Sequence, residues 1–225
     1  MNAVDFHSDI AKAFGERYQR SPDFQERFNV WSTLLDTYIQ PGSNVLDAGC
    51  GTGVFSIYAA QLGATVLAID GSEAMVDLTR RAAVQHQVVI QASVDWLPLT
   101  TNLGPFDAVL SSSVLEYVPD LSAALASLLG QVRSGGLLVV SMPNQRSVYR
   151  VIEQISYQLT RQPVYVKHMR HRATALSLHD QLGTDAAELI THLTYGGTNT
   201  IARLLRSCLP ASYADTLFVA VFRKK

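Results

Sequence analysis

Apolar positions in the first forty residues recur at helical spacing: Ile10, Ala13, Phe14 and Tyr18, then Phe24, Phe28, Trp31, Leu34 and Leu35. Pro22 interrupts the run, so two helices are predicted within 1–40, the second capped by Ser21. Pro41-Gly42 then marks a turn. Beyond it the pattern changes to short, continuous apolar runs separated by amphipathic stretches. Strands are predicted at 45–46, 65–69, 88–92, 106–110 and 137–141, and helices at 54–62, 72–86 and 121–132. Gly63 reads as a helix C-cap, Ser72 as an N-cap, and Gly135-Gly136 as a turn.

Continuous apolar strands alternating with helices imply a parallel sheet buried on both faces. The rhythm breaks after Pro143. Residues 145–180 read as helix and loop, and strand character returns near 189–194 and 216–222. The prediction is a single α/β domain with a doubly wound, Rossmann-like, seven-stranded and mostly parallel sheet. Helices cover both faces, and the last two strands form a hairpin-like edge. Its parts are N-terminal helices (1–40), a core (41–144), a helical lid insertion over the open end of the sheet (145–180) and C-terminal strands (181–225).

Composition narrows the class. The 225 residues are 48% hydrophobic and 16% charged, enough to bury a core without disulfides or metals. A net charge of -1 argues against a broad nucleic-acid or anionic-membrane surface. Cys50 and Cys208 have no CxxC spacing and no nearby His pattern, so no metal site is expected. The opening MNAVDFHSDI has no basic segment followed by an apolar run, and no stretch is long enough to span a membrane, so a cytoplasmic setting is expected. Oligomeric state is not legible.

The chemistry centres on VLDAGCGTGVFS, residues 45–56. Gly49, Gly51 and Gly53 lie between a predicted strand and helix, where a backbone must turn tightly and let a ligand approach. Alone, such a loop could be structural or bind NAD. Asp47 precedes the first glycine, and a carboxylate there disfavours a pyrophosphate but suits a ligand with an ammonium group. Asp70 ends the second strand, where a carboxylate can accept hydrogen bonds from both ribose hydroxyls of an adenosine.

With these residues in place the chain resembles the class I S-adenosylmethionine-dependent methyltransferases, of the small-molecule type that includes ubiquinone-biosynthesis O-methyltransferases. LDAGCGTG is similar to that family's first motif and LAIDGSEAM (67–75) to its second. QASVDWLPL (91–99) is similar to its adenine segment. FDAVLSSSVLEYVPD (106–120) and VRSGGLLVVSMPN (132–144) are similar to its fourth- and fifth-strand motifs. The resemblance implies S-adenosyl-L-methionine as cofactor. It also implies that Gly49, Gly51 and Gly53 shape the loop under the methionine end, with Asp47 acting through that loop. Asp70 would hold the ribose, with Gly71 and Met75 near ribose and adenine. Val94 would line the adenine, and Ser112 would touch the cofactor through its backbone. Tyr18 is placed either against the methionine end or in the core. The family's Gly-Asp in the adenine segment is here Ala92-Ser93, so Ser93 or Asp95 is left to hold the exocyclic amine. The common Leu-Glu-His is here Leu115-Glu116-Tyr117, which removes an imidazole.

Methyl transfer needs alignment and exclusion of water, and a base only when the acceptor arrives protonated. Base candidates are His168, His171, His179, His192, Tyr195 and Glu116, with His168 and His171 in the predicted lid. KHMRHR (167–172) reads either as a solvated basic loop or as a site for an anionic acceptor. Tyr149, Tyr157 and Tyr165 either line an acceptor pocket or pack a helix face. The expected function is methyl transfer to a small molecule, at oxygen on family frequency, with no nucleic acid and no membrane insertion. Rival readings are an RNA or protein methyltransferase, a non-catalytic cofactor-binding module and an NAD(P)-dependent oxidoreductase. Ser111-Ser112-Ser113-Val114 in place of an Asn/Asp-Pro-Pro-Tyr tetrapeptide counts against methylation of nucleic bases.

Overall fold

The computed structural model describes residues 21–225. The helix predicted before Pro22, and Tyr18 within it, lie outside the described residues. Helix α1 (Pro22–Tyr38) starts after Ser21, with proline in its first turn where no backbone donor is needed. The core then runs β1 (Asn44–Ala48), α2 (Val54–Gln61), β2 (Thr65–Asp70), α3 (Glu73–Gln85), β3 (Ile90–Val94), β4 (Phe106–Ser112), α4 (Leu121–Gln131) and β5 (Val132–Pro143). Beyond it come α5 (Val148–Thr160), a 3-10 turn (Val164–Lys167), α6 (Ala175–Leu182), β6 (Ala187–Tyr195), α7 (Thr200–Cys208), α8 (Ala211–Ala214) and β7 (Leu217–Lys224).

The seven strands lie in the order β3-β2-β1-β4-β5-β7-β6. Pairs from β3 to β5 are parallel, and β7 runs antiparallel between β5 and β6. This is the doubly wound sheet expected. Alternation along the strands splits the core into two layers. Leu46, Val109, Leu138, Val140, Phe218 and Phe222 pack against Leu125 and Leu128 of α4 and Leu178 of α6. Val45, Leu110, Val139, Val219 and Val221 pack against Trp31 and Leu35 of α1 and Phe55 of α2. Strands buried on both faces explain the unbroken apolar runs in the sequence.

Several local expectations need correction. The third strand begins at Ile90 rather than 88, because the turn after α3 occupies His86 and Gln87, the latter at φ +57, and Val88 and Val89 only lead from it into the strand. Gly135-Gly136 is not a turn between elements. It lies inside β5, where pairing jumps from Phe106–Val132 to Ala108–Leu137, and Gly135 at φ +73 absorbs the bulge. The last two strands pair, but α7 and α8 intervene, so they do not form a tight hairpin. The 145–180 segment also divides. Residues up to about 172 border the carboxyl ends of the strands, whereas Ala173, Ala175 and Leu178 are buried in the layer with α4.

Candidate functional site

Strand order reverses between β1 and β4, and the crevice beyond the carboxyl ends of strands at such a point is where an open α/β sheet takes ligands. A cavity of about 1250 Å³ opens there. Its walls include Asp47, Gly49, Gly51, Asp70, Gly71, Met75, Asp95, Ser112 and Glu116. That volume exceeds the usual range for one drug-sized ligand, about 300–1,000 Å³, and leaves room for two.

The glycine loop is built by the sheet beneath it. Ile69 at the end of β2 accepts from the backbone N–H groups of Gly49 (2.8 Å) and Cys50 (2.9 Å). Gly49 has φ +79, and a Cβ there would meet Val114 at 2.1 Å. Gly51 has φ +56 and faces open space with nothing within 4 Å, so the loop leaves a cradle at that point. Gly53 begins α2 in the left-handed conformation and abuts Thr79; it does not line the cavity.

Asp70 accepts from Gly51 N–H and Ser72 N–H, both at 2.9 Å, one on each oxygen. It therefore ties the loop to the start of α3. Each oxygen keeps a second lone pair for a ligand. Asp47 is 1% exposed and accepts from Ser56 Oγ at 2.5 Å. Burial pushes its carboxyl up to about 6, and the nearby Asp70 charge adds to the rise while Ser56 opposes it. Burial also raises Asp70, against the pull of its two backbone donors. Glu116, 3% exposed, is pushed up to about 7 by burial, opposed partly by Arg27 and Arg150. Buried Asp47 and half-buried Asp70 put two carboxyls beside the glycine loop, which favours a cationic ligand at that end of the cavity.

A family profile described as "Methyltransferase domain" matches residues 23–188. The chain belongs to the methyltransferase domain family. A ubiquinone biosynthesis O-methyltransferase of Pseudomonas fluorescens is 33% identical over 159 residues, covering 64% of this chain and 66% of that protein. A malonyl-[acyl-carrier protein] O-methyltransferase of Serratia marcescens is 37% identical over 101 residues, 45% of this chain and 38% of that protein. The chain thus spans less than two thirds of either relative. Among solved structures, magnesium protoporphyrin IX methyltransferase from Synechocystis PCC 6803 with bound SAH superposes with TM-score 0.75 at 16% identity, covering 100% of both chains.

In this methyltransferase domain Gly71 and Met75 line the cavity, and a Cβ at Gly71 would meet the Trp96 ring at 3.1 Å. The adenine-segment alternatives separate. Asp95 lines the cavity, its backbone N–H donating to Asp70 O at 3.2 Å. Ser93 and Val94 are exposed and do not line it, because both still belong to the edge strand β3, paired with Ile69 and Asp70. Trp96, next in the chain and 55% exposed, lines the cavity beside Gly71 and was not singled out from sequence.

The base candidates separate too. His168 lines the cavity. His171 does not: its Nε2 contacts Val118 O at 2.9 Å, so it fastens the segment rather than facing a ligand. His179 contacts Ala187 O at 3.0 Å and stacks on Phe222. His192 sits in the edge strand β6, paired with Ala220. Tyr195 is 1% exposed and accepts from Trp31 Nε1 at 3.4 Å. Of the three tyrosines, Tyr149 and Tyr165 line the cavity and Tyr157 does not.

Two arginines escaped the sequence reading. Arg27 of α1 donates through Nη2 to Ser112 O and Ser112 Oγ, both at 2.7 Å, so the Ser112 carbonyl already has a partner. Arg150 of α5 is 7% exposed. It donates to Glu153 (2.7 Å), the Tyr165 hydroxyl (2.9 Å) and Thr216 O (3.1 Å), while Tyr165 donates to Glu153. Single arginines in amphipathic helices carry no local signal of burial, so only the folded geometry reveals them.

Proposed function

We propose that this chain transfers a methyl group from S-adenosylmethionine to a small-molecule acceptor at oxygen. The observation that carries this reading is the cavity's carboxyl pair: Asp47 buried under the glycine loop, and Asp70 with one free lone pair on each oxygen. A ligand with a cation at one end and a ribose at the other meets both. The open space at Gly51 leaves room for its chain against the loop backbone.

In this reading Gly49 and Gly51 cradle the methionine end, Gly53 sets the turn into α2, and Asp47 favours the ammonium and sulfonium charge. Asp70 holds the ribose hydroxyls, while Gly71, Met75, Asp95 and Trp96 border the adenosine. S-adenosylmethionine supplies an electrophilic methyl on a sulfonium centre with a good leaving group, so the protein's task is alignment and desolvation. The rest of the cavity receives the acceptor, and residues 145–172 act as its lid. Tyr149, Tyr165, His168 and Arg170 on that wall suit a small polar molecule, and the basic side chains Lys167 and Arg170 suit one with an anionic group. Attack at oxygen is supported by the names of the relatives. A net charge of -1 gives no support to a nucleic-acid acceptor.

The test is Asp70→Ala. Affinity for S-adenosylhomocysteine should fall at least tenfold, since two hydrogen bonds to a charged group, about 1.5–3 kcal/mol each, are removed. Unchanged affinity by calorimetry would take Asp70 out of the site.

A further inference from the structure

At the end of β4 the chain makes a turn that ordinary residues avoid. Ser113 adopts φ +56, with its N–H donating to Ser141 O at 3.1 Å. That turn sends residues 114–118 across the cavity wall, where Tyr117 N–H closes a turn on Val114 O at 2.9 Å. Strain of this kind persists only where surrounding structure enforces it, and it clusters at functional sites. The residue it delivers is Glu116. The backbone of Glu116 is clamped from the other side: its carbonyl accepts from Arg170 N–H (2.7 Å) and His171 N–H (3.2 Å).

The Glu116 side chain is 3% exposed and lines the cavity. Its Oε2 is fully buried with no hydrogen-bond partner among the described residues. A buried carboxyl oxygen without a donor is a destabilising feature, costly enough that it calls for a function. Arg150 does not serve it, being committed to Glu153, Tyr165 and Thr216. The charged and titratable groups facing Glu116 are Arg27 from α1, Arg150 from α5, Tyr117 beside it and Tyr195 from β6. Both tyrosines are held neutral by burial, so neither competes for a proton at neutral pH.

We propose that Glu116 is the general base of this site, taking the proton from an acceptor hydroxyl during methyl transfer. The inference rests on the methyl-transfer reading above. The acceptor oxygen's lone pair forms the bond to the methyl carbon, and the carbon–sulfur bond breaks with its electrons going to sulfur. The sulfonium becomes a neutral thioether. The O–H electrons stay on oxygen, and the proton passes to the Glu116 carboxylate, to be released to solvent through the cavity mouth. The acceptor class is therefore a hydroxyl compound that arrives protonated, such as a phenol, rather than a carboxylate that arrives ionised. Burial that holds the carboxyl near 7 suits this exchange at neutral pH.

Catechol serves as the probe, with Glu116→Gln as the variant. Binding of catechol to the S-adenosylhomocysteine complex is measured by calorimetry between pH 6 and 8. Wild type should tighten by about fivefold as the carboxyl ionises, and the variant should show no such change. With S-adenosylmethionine, the variant should lose about 100-fold in kcat for catechol, together with the rising limb of the pH profile near 7. Its affinity for S-adenosylhomocysteine should match wild type, which separates a lost base from a lost fold. A variant that keeps its rate and its pH limb overturns the assignment. So does a wild type that binds S-adenosylhomocysteine but takes catechol with no pH dependence, or methylates no hydroxyl probe. Wild-type protein that binds no adenosyl ligand would overturn the methyl-transfer reading instead.

Discussion

Asp47 sits at the end of β1 with Ser56 as its donor, and burial holds its carboxyl near 6 in the folded chain against 3.8 as a free side chain. Between those values the folded state binds more protons than the unfolded one, so stability from this group falls as pH rises from about 4 to about 6. Above that, keeping the charge buried costs on the order of 3 kcal/mol. Asp47→Asn should therefore stabilise the ligand-free protein by about 2–3 kcal/mol at pH 7, and by less at pH 5. Urea unfolding at the two pH values measures the difference; a gain equal at both would show that Asp47 does not titrate as described. A cationic ligand reverses the balance by favouring the ionised form. Affinity for S-adenosylmethionine should weaken by about tenfold from pH 7 to pH 5 in wild type and by clearly less in the asparagine variant, where only Asp70 and Glu116 still titrate, at a lower absolute value.

At the scale of elements, Arg206 links three of them. It pairs with Glu26 of α1 and with Asp215 ahead of β7, both at 2.7 Å, and donates to Gly196 O at 3.2 Å. Glu26 in turn accepts from Gly196 N–H at 3.1 Å. The Asp215 side chain is only 5% exposed, so Arg206→Ala leaves a nearly buried carboxylate with Thr194 as its remaining side-chain donor. The partly exposed arginine sets the expected loss at about 2 kcal/mol, below that of a fully buried pair. Chemical denaturation checks it, and Arg206→Ala with wild-type stability would mean the network adds nothing. This network was not legible in the sequence, since α7 drew no prediction at all: Thr200–Cys208 follows two glycines and packs one residue, Ala202, fully inside. The core elements were legible because buried parallel strands must be apolar throughout and their helices are punctuated by recognisable caps, such as Ser72 accepting from Met75 N–H. Misreadings arose where backbone conformation overrode pattern. Gly135 became a bulge inside β5, and Gln87 turned with positive φ and delayed β3.

Across the whole molecule, the cavity draws on regions far apart in sequence: α1, the glycine loop, the ends of β2 and β4, and residues 145–172. The glycine loop and its two aspartates could be read from local spacing because Asp47 and the glycines share one strand–loop–helix unit and Asp70 ends the strand that follows it. The acceptor side could not. Glu116 acquires its character from Ser113's turn, from burial and from the clamp by residues 170 and 171, none of which spacing records. His171 drew attention by sequence position and proved to be part of that clamp. Among the described residues no helix is long and apolar enough to cross a membrane. The central claim is that this cavity takes an adenosyl ligand with a cationic end. Parallel calorimetric titrations with S-adenosylmethionine, S-adenosylhomocysteine and NAD test it most directly. The account predicts binding of both adenosyl ligands, on the order of micromolar, about -8 kcal/mol, and none of NAD. Binding of NAD with no response to the adenosyl ligands would contradict it and make the glycine loop a dinucleotide site.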